Sequence, residues 1–198
     1  MLAFTNCSKK KDNGYTIKGD VDGFKDSTAL YLNDSKTDQV VDTTFVVDGK
    51  FTFKGKVNEP RIMMIRTKYE KGKRPKFTAF WVENSTITVK GSADNFKYAS
   101  VTGSKPQEVK EKLEEKVKPY KKKKDSIVQI YIKMQREGIN KENKEKFEKV
   151  KNKMHRLDSI RSKIRLDFIK ANTNSYAAIN QLNYKKYTLP EDTLKSLY

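Results

Sequence analysis

The hydrophobic period of this chain changes once, at Ser104, and that change limits the folds open to it. Before Ser104 apolar and polar side chains alternate, the period of a half-buried strand. After it they recur every three to four residues, the period of an amphipathic helix. The two periods sit in separate blocks, so no strand–helix–strand unit is predicted. The pattern predicts an α+β chain: an N-terminal antiparallel β-sandwich, or partly open barrel, followed by a long helical hairpin and short C-terminal helices. Residues 1–14 read as a signal remnant and tether, 15–103 as an antiparallel β domain, and 104–198 as a basic helical segment.

Strands are expected at Tyr15–Gly19, Thr28–Leu32, Gln39–Val47, Lys50–Gly55, Arg61–Thr67, Lys76–Val82, Ser85–Lys90 and near Tyr98–Thr102. About seven or eight short strands separated by polar turns suit a sandwich. Asp48-Gly49 between two β-rich runs predicts a hairpin, because a type I′ turn needs positive φ at both central positions. Gly72 and Pro75, with basic residues around them, place residues 69–75 in an exposed loop.

Ser104-Lys105-Pro106-Gln107 fits a capping box with proline in the first turn. Val109, Leu113, Val117, Tyr120, Ile127, Ile130 and Met134 then share one face. Pro119 removes one helical hydrogen bond and is expected to kink or split this helix. Gly138 and Asn140 mark a break. A second stripe follows in Phe147, Val150, Met154, Leu157, Ile160, Ile164 and Phe168, spaced like a coiled-coil seam. The short connection favours an antiparallel pair. Asn172–Ser175 reads as a turn, Tyr176–Leu182 as a short helix, and Thr188-Leu189-Pro190-Glu191 as a second capping box before Leu194 and Leu197.

Charge follows the same division. The net charge of +18 splits into +6 over residues 1–103 and +12 over 104–198. A basic half suits an anionic neighbour such as a lipid headgroup layer, an acidic glycan or an acidic protein. Lysine dominates over arginine, whereas specific phosphate or base readout leans on the arginine fork, so nucleic acid is not the expected partner. Ten Phe and ten Tyr supply core side chains despite an apolar fraction of 35%. No run of about 18 apolar residues is present to span a membrane.

The N-terminus opens Met1-Leu2-Ala3-Phe4-Thr5-Asn6-Cys7-Ser8-Lys9-Lys10-Lys11-Asp12. An apolar stretch that ends in cysteine and turns polar at once resembles the tail of a bacterial lipoprotein signal peptide. On that resemblance Cys7 receives the lipid, and the chain is exported as a periplasmic or outer-membrane-anchored lipoprotein. Residues 8–14 would tether it, and each lysine beside the lipid would add roughly 1 kcal/mol at an anionic surface. Cys7 is the single cysteine, so the chain holds neither an internal disulfide nor a Cys-x-x-Cys pair.

Motifs that carry chemistry are sparse. His155 is the one histidine and lacks metal-ligating companions at matched spacing. Asp20, Asp22 and Asp26 with Gly23 lack the ligand order of a calcium loop and read as turn residues. Glu114 and Glu115 read as helix ion-pair partners. Nucleophile-elbow, P-loop and dinucleotide patterns do not occur. No catalytic residue, metal site or cofactor is therefore expected. Phe77, Phe80 and Trp81 stand beside Lys73, Arg74 and Lys76, an interleaving that can bind single strands, although strand alternation buries some of these rings. Trp81 or Tyr69 as a glycan platform has the same standing.

An ordered series of motifs carries a family resemblance. It comprises Tyr15–Gly19, Ala29–Leu32, Val47–Val57, Glu59-Pro60, Phe80–Asn84, Ile87–Gly91 and Val101–Ser104, together with the linker Phe168–Tyr176. It resembles the domain of unknown function that precedes thioredoxin-like, peroxiredoxin-type disulfide oxidoreductases in gut Gram-negative anaerobes. The resemblance implies an envelope location and a non-catalytic accessory or binding role, with a thioredoxin-like domain or an envelope protein as client. Without a Cys-x-x-Cys pair, redox activity carries over to no residue of this sequence. The alternative is a polyanion- or glycan-binding envelope protein that uses the basic helical half. The ligand-binding residues and the oligomeric state stay open at this stage.

Overall fold

The structure is a computed structural model and describes residues 13–185, 189 and 191–195. Cys7, Thr188, Pro190 and Leu197 lie outside the described residues. The chain divides into two compact units between Glu108 and Val109.

The first unit is built from eight strands: β1 (Tyr15–Asp22), β2 (Ala29–Asp34), β3 (Val40–Phe45), β4 (Lys50–Gly55), β5 (Arg61–Thr67), β6 (Phe77–Val82), β7 (Thr86–Ser92) and β8 (Ser100–Thr102). A 3-10 helix at Ala93–Tyr98, which the sequence reading missed, links β7 to β8. The strands form two open sheets, ordered β4-β1-β7-β8 and β3-β2-β5-β6. They do not close into a barrel. Alternate residues of both sheets point inward and make one core. Ile17, Leu30, Leu32, Phe53, Ile65, Phe80, Ile87 and Val89 are all almost fully buried in it. Each such side chain contributes about 1.5–3 kcal/mol by leaving water.

Two expectations about pairing need correction. The sheets are not wholly antiparallel, because β1 pairs with β7 in parallel, Thr16 opposite Thr86 through Asp22 opposite Ser92. The chain between them runs through the entire second sheet, so this parallel pair needs no crossover helix of its own. The Asp48-Gly49 turn forms as predicted, with φ of 50° and 71° and both Val47–Lys50 backbone bonds made. The hairpin beyond it does not form. Val46 bonds back to Ser27 and Thr28 in the second sheet, while Lys50 joins β1 in the first. Val46, Phe51 and Phe53 are buried in the shared core, which draws the two strands into facing sheets. The turn is therefore a corner of the sandwich. Asp26 fixes it by accepting the Asp48 N–H at 2.8 Å, the turn role expected of that aspartate.

The first turn of α1 (Lys105–Glu137) is part of the β unit. Ser104 is buried; its Oγ accepts the Gln107 N–H at 3.4 Å and its carbonyl accepts the Glu108 N–H at 3.0 Å. Gln107 Oε1 accepts the Trp81 N–H at 3.2 Å. The cap predicted from sequence thus also rivets the helix start to β6.

In the second unit α1 continues through Pro119 as a single element, so the expected split does not occur. Leu113 and Val117 before the proline and Ile127 after it are buried, and this packing outweighs one lost backbone bond. The helix α2 (Lys144–Ala171) runs antiparallel to α1, as expected. Tyr131 stacks on Phe147 at 5.0 Å near the connecting turn, Lys124 meets Asp158 at 2.6 Å, and Glu114 meets Arg165 at 3.7 Å farther along. The turn is held by Gly138 at φ 85° and by Asn140 and Asn143, which cap each other's backbone. Then α3 (Tyr176–Lys185) packs Ala178 and Leu182 against Leu113, Val117, Phe168 and Ile169, and Leu194 of α4 (Glu191–Lys195) adds to that cluster.

Ile130 is not a seam residue; it is exposed. The seam follows Leu113, Val117, Tyr120, Lys124, Ile127, Tyr131 and Met134, so a lysine occupies one apolar position. Arg161 occupies the equivalent place on α2, and Asp158 binds both, Lys124 at 2.6 Å and Arg161 at 3.3 Å. A charged layer of this kind fixes helix register at some cost in stability.

Candidate binding face

The outer side of the second sheet is the most distinctive surface among the described residues. Leu30, Leu32, Ile65 and Phe80 point into the core, so their neighbours along each strand point out. Register sets those neighbours in a row across four strands: Thr43, Tyr31, Arg66 and Phe77. Met64 and Ala79 form the next row, and Phe45 lies opposite Ala29. Directly opposed residues on one face stand within side-chain contact.

Arg66 organises the face. Its guanidinium lies 5.2 Å from the Tyr31 ring centre and 4.4 Å from that of Tyr69, so both rings hold the cation. Around this stack apolar groups meet solvent. Phe45 is 60% exposed, Tyr69 59% and Phe77 36%. Trp81 shares the outer side but is only 5% exposed, so it is no platform, whereas Tyr69 is accessible. Phe80 is core.

The β5–β6 loop borders this face and is exposed and basic, as predicted. Lys73 pairs with Glu70 at 2.8 Å, and Lys76 pairs with Asp94 at 2.8 Å. The hydrogen bond and charge of Lys73, with Lys68 nearby, hold the Glu70 carboxyl below its ordinary value, and Glu70 raises Lys73 in return. Lys71 and Arg74 make no ion pair among the described residues.

The helical unit carries a different surface. Lys149, Arg156, Lys163 and Lys170 are all exposed and recur every seven residues along α2. At 1.5 Å per residue they form a line of cations about 10.5 Å apart. Lys149 is partnered by Glu145 at 2.6 Å. Beside the line, Ser162, Lys163, Leu166, Ile169, Lys185 and Leu189 enclose a cleft of about 260 Å³. Lys185 Nζ at its mouth donates to Ser162 Oγ at 3.2 Å.

The residues weighed for chemistry mostly hold structure. Glu114 bridges helices to Arg165, Asp20 lies 3.9 Å from Lys90, and His155 sits exposed on α2. Among the described residues no group of three or more His, Cys, Asp or Glu is placed to hold a metal. Nor is any described helix long and apolar enough to cross a membrane.

The fold and this face define a two-sheet β domain with an exposed aromatic side. Residues 15–109 match the family model described as Domain of unknown function (DUF4369). The match ends where the first structural unit ends, one turn into α1, which fits the bonds that tie Ser104 and Gln107 to the β domain. No match was found among the curated proteins or among the solved structures.

Proposed function

We propose that this chain is a non-catalytic binding module of the cell envelope, anchored by lipid on Cys7, of the type that stands before a thioredoxin-like disulfide reductase. The observation that carries the binding role is the Tyr31–Arg66–Tyr69 stack, with exposed Phe45 and Phe77 on the two edge strands of the same face. Tyrosine and arginine dominate the energetics of protein interfaces. The carboxylates best placed for chemistry are engaged elsewhere. Asp34 is bonded to Lys36, Thr37 and Arg61, and Glu83 caps Lys105. The anchor rests on the sequence around Cys7.

Metabolic labelling with a fatty-acid analogue tests the anchor. In a Gram-negative host that expresses the native gene, the wild-type product should take up label and fractionate with membranes. Cys7→Ser should do neither. A wild-type product without label would remove the anchor from the proposal.

The cation line on α2 favours a second reading, a polyanion binder. Dextran sulfate should then bind at low salt, with affinity that falls steeply as salt rises. The double change Arg156→Glu and Lys163→Glu should weaken it by roughly tenfold or more. Equal binding by the double variant would place the interaction away from this line of cations, and no binding at low salt would end this reading.

A further inference from the structure

We infer that the outer face of the second sheet, with the β5–β6 loop, docks an acidic segment of a partner protein that also carries aromatic or aliphatic side chains. This deepens the binding role proposed above and rests on it.

Charge complementarity selects the partner. Exposed Phe45 on β3 and Phe77 on β6 flank the Tyr31–Arg66–Tyr69 stack, and the β5–β6 loop beside it carries Lys71 and Arg74, which no described carboxylate pairs. Apolar groups flanked by carboxylates fit both parts. A sugar fits less well. One face each of Tyr31 and Tyr69 is already turned to the Arg66 guanidinium, which leaves less of either ring for stacking on a sugar.

The mode of docking follows from the edge strand. β3 is an edge of its sheet, a position where a partner strand can add. Here the Asp42 carboxylate accepts the Thr43 N–H at 2.7 Å and occupies the middle of that edge. The segment therefore lies across the face, on side chains, rather than extending the sheet.

The start of β1 is bonded to Ser85, beyond the end of β6 at Val82. The β5–β6 loop lies at the other end of β6, roughly 17 Å away along the strand. The loop and the aromatic stack thus lie at the end of the β domain opposite the start of β1.

The full chain should be titrated with a fluorescent synthetic peptide that alternates glutamate with phenylalanine and leucine. The matched peptide with lysine for every glutamate serves as control. The acidic peptide is expected to bind and the basic one not. Amide shifts should gather at Tyr31, Phe45 and residues 66–77. Lys71→Glu with Arg74→Glu, and separately Phe45→Ser, should each weaken binding roughly tenfold. Thermal melts confirm that the variants fold, and Tyr69→Ala is a second probe of the aromatic stack. No binding of the acidic peptide, unchanged affinity in the variants, or shifts confined to α2 would each overturn the inference. Fatty-acid labelling of Cys7 reads the anchor separately. A labelled protein that ignores the peptide loses only the docking face, and an unlabelled one that binds it loses only the membrane.

Discussion

Replacing Gly103 by alanine is expected to lower the unfolding free energy by about 3 kcal/mol, read by urea denaturation. Gly103 joins β8 to the cap of α1 at φ 90°, a left-handed conformation that costs alanine roughly 1 kcal/mol. A Cβ there would also overlap the Thr86 carbonyl oxygen and press on the Ile87 backbone. Neither can retreat. Thr86 is paired to Thr16 of β1, Ile87 is fully buried, and β7 is held between β1 and β8. The Gly103 carbonyl is itself fixed by Ser85 Oγ at 2.7 Å. Gly72 supplies the control. Its φ is 79°, but a Cβ there meets nothing within 4 Å, so Gly72→Ala should cost only the backbone part. Equal losses in the two variants would show that the overlap at Gly103 relaxes freely.

Gly103 also shows where sequence reasoning stops. The helix start just after it was legible from Ser104-Lys105-Pro106-Gln107, because capping is local chemistry. Its contact with Thr86 was not, because that depends on which strands become neighbours. The same boundary runs through the β unit. Strand positions were readable from period two, which reports the face a side chain takes and says nothing of the strand beside it. Hence the Asp48-Gly49 turn was foreseen and the transfer of its two arms into different sheets was not. The parallel β1–β7 pair carries the same alternation as an antiparallel one. In the helices, counting apolar residues found Leu113, Val117 and Phe168 but stepped over Lys124 and Arg161, which sit in the seam because Asp158 partners both. The binding face was legible in part: Tyr69 and Phe77 stood out in the sequence together with Trp81, which is buried, whereas Arg66 and Phe45 did not. One signal was available: Val40, Val41, Phe45, Val46 and Val47 make β3 apolar on both sides, and one side of an edge strand has to meet solvent.

Removing the Asp34 carboxylate is the other large expected loss, about 2–3 kcal/mol for Asp34→Ala at neutral pH. Asp34 ends β2 and is almost buried. Its Oδ1 accepts the Lys36 N–H at 2.8 Å and the Thr37 N–H at 3.3 Å, and its Oδ2 accepts from Arg61 Nη1 at 2.9 Å. Alanine strands both N–H groups and unpairs Arg61. That side chain is 40% exposed, so water recovers part of its charge and the cost stays below that of a fully enclosed pair. The effect carries a pH signature. Burial pushes this carboxyl up, but the two N–H bonds and Arg61 outweigh burial, and the folded value lies below the ordinary 3.8. A depressed folded value means that the charge stabilises the fold fully above the ordinary aspartate range. That contribution drains away as pH falls from about 5 through the lower folded value. Asp34→Asn keeps the shape and one acceptor but not the charge, so its stability deficit against wild type should shrink over that acid window. Urea titrations of both proteins at matched pH values read the difference directly. A deficit that stays constant down to the acid limit would mean that the turn at residues 34–39 depends on the shape of the side chain at position 34, and that the ion pair with Arg61 contributes nothing.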